Sequence, residues 1–497
     1  MKKAFLLHPI LFAIFPGISI VADHLGFISF NATLLLLTLG VLLLASIIFI
    51  LLRFLSNNSA KAAVGTSLFL ILFFSYGHTF DYLKNETAVF IQHRHLTLVW
   101  LIIYLVLFTV LLRTKKELTL ANQWLTVMGG MLLLFSGYAV ATYYLTEDTN
   151  WLPERTLVGK PANAAQALPD VYYIIFDAYA NEATLNAYYN FDNRDFLNGL
   201  EERGFYVANE SRSNYALTSL SISSSLNLTY VNELSQQIGE DSTSITIPKQ
   251  LIEQNEVMNF FQAAGYQFVF MGSGYGVSQS NRFATQDIHC GQVDETIGRF
   301  IATSFLRAPA DRFRLIERDD RQRRLCMFHE LENMPNTESP KFIFAHVPSP
   351  HWPFLFDAEG NPVSLENLNH DQLKDGYLAQ LIYLNGRITR IVDAILQNSA
   401  SEPIIIIQSD HGPAFESSMD NPTKSLYEER MRILNAYYLP EEAKAVLYPS
   451  ITPINSFRVV FNHLFATELP LLDDQSYFST YKAPYKFTNV TDQIVSR

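Results

Sequence analysis

The apolar positions of this 497-residue chain fall into two regimes. Early in the chain they form unbroken runs at 4–22, 32–52, 62–80, 96–112 and 124–145, none of which contains Asp, Glu, Lys or Arg. As helices rising ~1.5 Å per residue, each is about long enough to cross a ~30 Å hydrocarbon core, with 96–112 at the short limit. Five such runs separated by short polar loops predict a five-helix transmembrane domain over residues 1–145, not the core helices of a soluble protein. The first run also has the form of a signal peptide behind Lys2 and Lys3, but it contains Pro9 and Pro16 and no clear cleavage site follows. Residues 146–169, with Pro153, Pro161 and Pro169 and no apolar period, predict a linker.

From residue 170 to 497 the apolar runs shorten to strand length. Val171–Phe176, Gln267–Phe270, Lys341–Ala345 and Ile404–Ile407 are continuous β-rich stretches, as expected of strands buried on both faces of a mainly parallel sheet. Amphipathic stretches such as 196–203, 249–264 and 375–397 lie between them, so an α/β domain with flanking helices is predicted.

Charge separates the same two regions. Residues 1–150 hold 9 Lys+Arg and 6 Asp+Glu, a net of +3; the remaining 27 and 42 give residues 151–497 a net of −15. An acidic domain argues against a nucleic-acid partner. Lys2, Lys3, Arg53, Lys61, Arg113, Lys115 and Lys116 fall on one side of the five crossings, against Lys84 and Arg94 on the other. The basic-rich side is expected in the cytoplasm, with the C-terminal domain extracytoplasmic, on a multi-pass inner (plasma) membrane protein. His93 and His95 read as interfacial residues. Cys290 and Cys326 are either two separate thiols or one disulfide, and a disulfide requires an oxidising compartment.

Candidate chemistry clusters where strands end, since ligands of open α/β sheets bind at the carboxyl edge. The first strand runs into Asp177, the third into His346 with His351 beyond it, and the fourth into Asp410-His411-Gly412. Carboxylate and imidazole together suit Zn²⁺ or Mn²⁺. A hydroxyl-rich stretch, Ser211 to Asn227, follows the first strand, and one of its hydroxyls placed at a helix N-terminus beside a metal would be activated as a nucleophile.

The order of these motifs resembles the alkaline phosphatase superfamily in its sulfatase-like branch. In architecture the chain looks like the membrane lipoteichoic acid synthases and lipid A phosphoethanolamine transferases. The resemblance implies Thr218 as nucleophile and Asp177, Thr218, Asp410 and His411 as ligands of one divalent metal ion. It further implies His351 and His346 as contacts to the phosphate group, with Asn214 and Arg212 as additional donors. The C/S-x-P-x-R sequence whose Cys or Ser becomes formylglycine is absent, which disfavours sulfate-ester hydrolysis. The implied activity is transfer of a phospho-headgroup, of phosphoethanolamine or phosphoglycerol type, from a lipid donor to an envelope glycan or lipid acceptor. Two alternatives stand beside it: a hydrolase of the same kind with water as acceptor, and a non-catalytic envelope scaffold with a degenerate domain. Oligomeric state is not legible in the chain.

Overall fold

The computed structural model describes residues 6–86, 91–146, 168–274, 276–363 and 369–494. It divides into two compact units, Met1–Asp148 with Val293–Arg318, and Thr149–Gln292 with Asp319–Arg497. Residues 147–167 of the expected linker lie outside the described residues.

The first unit holds helices α1 (His8–Asp23), α2 (Ala32–Ser56), α3 (Ser59–Glu86), α4 (His93–Arg113) and α5 (Thr119–Thr146). Helices α2 to α5 are long and apolar enough to cross a membrane. Helix α1 has 16 residues, with Pro9 in its first turn and Pro16 inside it. At ~1.5 Å per residue it reaches roughly 24 Å, short of the hydrocarbon core. The expected five crossings are therefore corrected to four full-length apolar helices and one shorter one. His8 lies 2.7 Å from Ser67 Oγ through Nδ1 and 2.8 Å from Asn122 Oδ1 through Nε2, tying α1 to α3 and α5.

The segment Val293–Arg318 also belongs to this unit, although its sequence lies among the soluble elements. Its two short helices, Glu295–Thr303 and Arg307–Phe313, dock on the ends of α3 and α4. The N–H of Phe305 donates to the carbonyl of Phe73 at 2.8 Å, and Phe300 packs edge-on against Phe74. Arg307 Nη1 lies 2.7 Å from Asp81 Oδ2, and His93 Nε2 lies 2.8 Å from Asp311 Oδ2. Gly77 makes the approach feasible, because a Cβ there would sit 1.9 Å from the Ala302 carbonyl oxygen.

The second unit is built on a seven-stranded sheet. In chain order its strands are β1 (Val171–Phe176), β2 (Tyr206–Val207), β3 (Gln267–Met271), β4 (Gln286–Asp287), β5 (Lys341–Val347), β6 (Ile404–Gln408) and β7 (Asn435–Tyr438). Across the sheet they run β2-β7-β6-β1-β5-β3-β4. The central pairs are parallel, and β7 joins β6 and β2 antiparallel, so the sheet is mixed but mostly parallel. Every residue of β1 is buried, because both faces are covered. Tyr172, Ile174 and Phe176 pack on one face against helices His370–Asn398 and Leu315–Asn333. On the other face, Tyr173, Phe342 and Phe261 meet Phe457 of helix Pro453–Phe465. The continuous apolar strands thus follow from alternate residues serving two separate cores.

Cys290 and Cys326 form a disulfide, with Cα atoms 5.7 Å apart and 36 residues of separation. Both sulfurs lie in the second unit and bracket the departing segment 293–318. The neck is closed again by the Gln292 N–H, which donates to Asp319 Oδ1 at 2.7 Å. Closing a loop of this size constrains the unfolded chain by about 3 to 4 kcal/mol. Replacing Cys326 with Ser should destabilise the full chain by about 3 kcal/mol, seen as a lower thermal midpoint in detergent; an unchanged midpoint would contradict this account.

Candidate active site

Parallel strands deliver their carboxyl ends to one edge of the sheet, and there β1 ends in Asp177, β5 contains His346 and β6 leads into Asp410. One ligand atom from each of these three buried residues lies within 4.8 Å of the others. Helix Thr218–Asn227 starts at this edge with Thr218 as its first residue, and its preceding residue, Leu217, supplies no side-chain cap. The dipole and free N–H groups of the helix start therefore favour negative charge at the Thr218 hydroxyl.

His411 faces that hydroxyl. Its Nδ1 lies 3.0 Å from the carbonyl oxygen of Gly412, which can only accept, so Nδ1 carries the proton. Its Nε2 is left with a lone pair, 2.9 Å from Thr218 Oγ1 and 3.2 Å from Asp410 Oδ2. Burial, reinforced by nearby Arg430, holds the pKa of His411 well below the usual imidazole range and keeps the ring neutral. The Thr218 hydroxyl can donate to this nitrogen.

The two carboxyl groups differ. Burial opposes the ionisation of Asp177, but the surrounding His351 and His346 outweigh it and hold its pKa below the usual carboxylate range. Burial and the charge of Asp177 push Asp410 up to about 6. Burial would lower the pKa of His346, but Asp177 outweighs it and the net shift is upward. Asp177 Oδ1, Asp410 Oδ2 and His346 Nε2 are buried and hydrogen-bond to nothing. The approach of His346 Nε2 to Asp177 Oδ2, 3.7 Å, is too long for a hydrogen bond. Converging buried acceptors without donors are costly, and a divalent cation removes that cost. The site residues therefore fit a metal ion, held by Asp177, His346 and Asp410 with His411 and Thr218 at its edge.

Sequence reasoning grouped His411 with the cation and His346 with the phosphate. The structure gathers His346 with the two carboxylates and places His411 against Thr218. His351 borders the site through its backbone, its N–H donating to the Asp177 carbonyl at 3.1 Å, and its ring centre lies 6.4 Å from that of His411. Its Nδ1, 2.6 Å from the Trp352 carbonyl, is the protonated nitrogen. Asn214 is occupied elsewhere: its Nδ2 donates to Thr452 Oγ1 and the Gln475 carbonyl, and its Oδ1 accepts from the Ile454 N–H. Arg212 is buried and reaches the Asp474 carbonyl at 3.4 Å. Among the described residues, no hydrogen bond joins either one to Asp177, Thr218 or Asp410.

Several supporting residues escaped the sequence reading. Ser213 and Ser221 both donate to the Asp410 carbonyl, at 2.5 and 2.8 Å. Ser278 Oγ meets His346 Nδ1 at 2.6 Å. Arg430 donates to the carbonyls of Ala216 and Gly412, both at 2.8 Å, and so clamps the loop before Thr218 to the loop after His411. Gln380 holds the carbonyls of Pro350 and His351, and Arg324 holds those of Pro348 and Pro353, which fixes the loop that carries His351. The hydroxyl-rich composition around Thr218 was the available signal for the two serines; nothing local marks Arg430, Gln380 or Ser278.

The family model described as Sulfatase matches residues 169–466. The chain belongs to the sulfatase family. Among solved structures, it is similar to the C-terminal periplasmic domain of EcEptC from Escherichia coli, in a complex with Zn, at 12% identity and a TM-score of 0.43, over 67% of this chain and 96% of that one. It is also similar to the lipooligosaccharide phosphoethanolamine transferase A (EptA) from Neisseria meningitidis, at 11% identity and a TM-score of 0.40, over 92% and 94% of the two chains. A third is the putative sulfatase yidJ from Bacteroides fragilis, at 14% identity and a TM-score of 0.40, over 65% and 84%. No curated protein sequence matches the chain. The sulfatase-family domain here carries Thr218 where the helix start meets the acidic and histidine cluster.

The raised pKa of Asp410 has a sign that can be tested. Its neutral form persists to about 6 in the fold, against ~3.9 for a free Asp. In metal-free protein this contribution to stability is full below about pH 4 and lost as pH rises through about 6. A cation must displace the same proton. His346, whose pKa is raised, must lose a proton as well, so the Zn²⁺ affinity of chelator-stripped protein should begin to fall above pH 6 and reach about a hundredfold per pH unit below about 6, as measured by competition with a chromophoric chelator. An affinity flat from pH 7.5 to 5 would contradict this placement of the cation.

Proposed function

We propose that the protein transfers a phospho-headgroup, of phosphoethanolamine or phosphoglycerol type, from a membrane lipid to a glycan or lipid of the cell envelope through Thr218. The observation that carries this reading is the Thr218 hydroxyl at a helix N-terminus, 2.9 Å from the unprotonated nitrogen of a neutral histidine. The adjoining group of orphaned carboxylate and imidazole atoms suits a cation that would bind phosphoryl oxygens.

In the first half-reaction Thr218 Oγ attacks phosphorus and its proton passes to His411 Nε2. The P–O bond to the diacylglycerol oxygen breaks, and that oxygen leaves with a proton from water. In the second, an acceptor hydroxyl attacks the phosphothreonine and gives its proton to the hydroxide left by the first step, the P–Oγ bond breaks, and the proton held on His411 returns to Thr218. The phosphoryl oxygens lie within reach of the helix N–H groups and of His351, whose ring borders the site. A divalent cation bound by Asp177, His346 and Asp410 would neutralise charge on the phosphoryl group and favour the threonine alkoxide.

The apolar helices of the same chain make membrane lipid the substrate pool at hand. The basic residues of the loops and the Cys290–Cys326 disulfide both support an extracytoplasmic position for the domain. A threonine at the nucleophile position cannot become formylglycine, which favours phosphate over sulfate esters.

Replacing Thr218 with Ala removes the attacking oxygen. The full chain, reconstituted with fluorescent phosphatidylethanolamine or phosphatidylglycerol and an envelope glycolipid acceptor, should then fall to background turnover. Acid-quenched wild type should show a phospho-headgroup adduct on the peptide containing Thr218, by mass spectrometry, and the variant none. Wild-type turnover in the Ala variant would refute the scheme. Equal headgroup release with and without acceptor would assign water as the acceptor.

A further inference from the structure

We propose that the first unit contains a binding groove for one acyl chain of an outer-leaflet lipid, and that this groove seats the tail of the lipid whose headgroup is transferred. The donor role rests on the lipid reading given above; the groove itself rests on separate observations.

An apolar cavity of about 590 Å³ lies among α2, α3 and the segment 293–318. Its floor is one face of α2, where Thr33, Leu36, Gly40 and Leu44 recur at helical spacing. Phe73 of α3 and Phe300 of helix Glu295–Thr303 close it from the other sides. Its volume is that of a small-ligand site, about 300–1,000 Å³. No ionisable side chain lines it, and Thr33, the polar member of the lining, stands at one end.

The length of the groove identifies the occupant. From Thr33 to Leu44 along α2 is roughly 16 Å at the helix rise, about half of a ~30 Å hydrocarbon core. The groove therefore spans a single leaflet. Thr33 is at the end of α2 opposite Arg53, so loop charge assigns that leaflet to the extracytoplasmic side. Spread over that length, the cavity has a cross-section on the order of 40 Å², about half that of a helix ~10 Å across. A helix from a second copy is too wide for it. An extended peptide would leave its N–H and C=O groups unpaired against an apolar wall. A hydrocarbon chain meets neither obstacle.

Gly40 keeps the floor open. A Cβ there would have no atom within 4 Å, so this glycine serves no close packing of helix on helix. Glycine inside a helix is disfavoured by about 1 kcal/mol relative to alanine; its effect here is to leave room. The adjoining Leu35, Leu39 and Leu43 are exposed, so the groove opens towards lipid. Its far wall is the segment whose neck is closed by Cys290–Cys326, which makes the groove part of the same covalent loop that returns to the catalytic domain.

The test uses the full chain in nanodiscs doped with phosphatidylethanolamine or phosphatidylglycerol carrying a diazirine midway along one acyl chain. Photolysis should label peptides covering 33–44 and 297–306, and Gly40→Phe should cut that labelling at least fivefold. In the same variant, kcat/KM for the long-chain donor should fall at least tenfold relative to that for a dihexanoyl donor. Leu36→Trp, at a lining side chain 69% exposed, narrows the groove without burdening the fold and should reproduce both effects. Labelling spread evenly over α4 and α5, and unmoved by either variant, overturns the groove while leaving headgroup transfer intact. Groove-confined labelling without headgroup transfer from any lipid upholds the acyl seat and overturns its donor role.

Discussion

Two buried carboxyl groups, Asp177 and Asp410, sit side by side at the carboxyl ends of the adjacent parallel strands β1 and β6, and the site is arranged around their mutual repulsion. Like charges at short range in a dry interior cannot both ionise without a cation between them or beside them. The fold answers with three histidines around Asp177, a neutral Asp410 below about pH 6, and three acceptor atoms left free to converge. Arg430 does not pair with either carboxylate among the described hydrogen bonds. It acts on the backbone, gripping the Ala216 and Gly412 carbonyls. A cation-binding site needs that restraint, since an arginine placed on the carboxylates would take the position of the metal.

The geometry at Thr218 follows from the same edge. The hydroxyl-rich helix is not a set of equivalent candidate nucleophiles. Ser221 donates to the Asp410 backbone, Ser223 to the carbonyls of Ser219 and Pro248, and Ser224 to that of Thr229. Thr218, at the first position, is left facing His411. The C-terminal region supports the approach to it: Asn214 is held by Thr452 and Gln475, and the strand partner of Tyr215 is Tyr477. A stretch without chemistry of its own thereby places Thr218.

Much of this was legible along the chain. Continuous apolar runs located the long apolar helices and the buried strands, because solvent quality acts on each residue according to its side chain. The motif order singled out Asp177, Thr218, Asp410 and His411, and the fold brings these residues together at one edge of the sheet. The reading was coarser wherever distant segments decide the outcome. Helix α1 is shorter than its apolar run, and segment 293–318 joined the first unit through Phe300, Arg307 and Asp311, residues that read locally as part of a soluble domain.

Sequence by itself determined which side chains could do the chemistry, since an apolar period, a carboxylate after a strand and a hydroxyl-rich helix start are all local facts. Only the tertiary structure decided how they divide the work. Whether a histidine faces a cation or a hydroxyl depends on which of its nitrogens is engaged by a neighbour from elsewhere in the chain: Ser278 at His346, and the Gly412 carbonyl, itself gripped by Arg430, at His411. The donors of Asn214 are taken, in the same way, by residues more than 200 positions away. Hydrogen-bond valence is satisfied in space, so the roles of identical residue types separate only once the chain has folded.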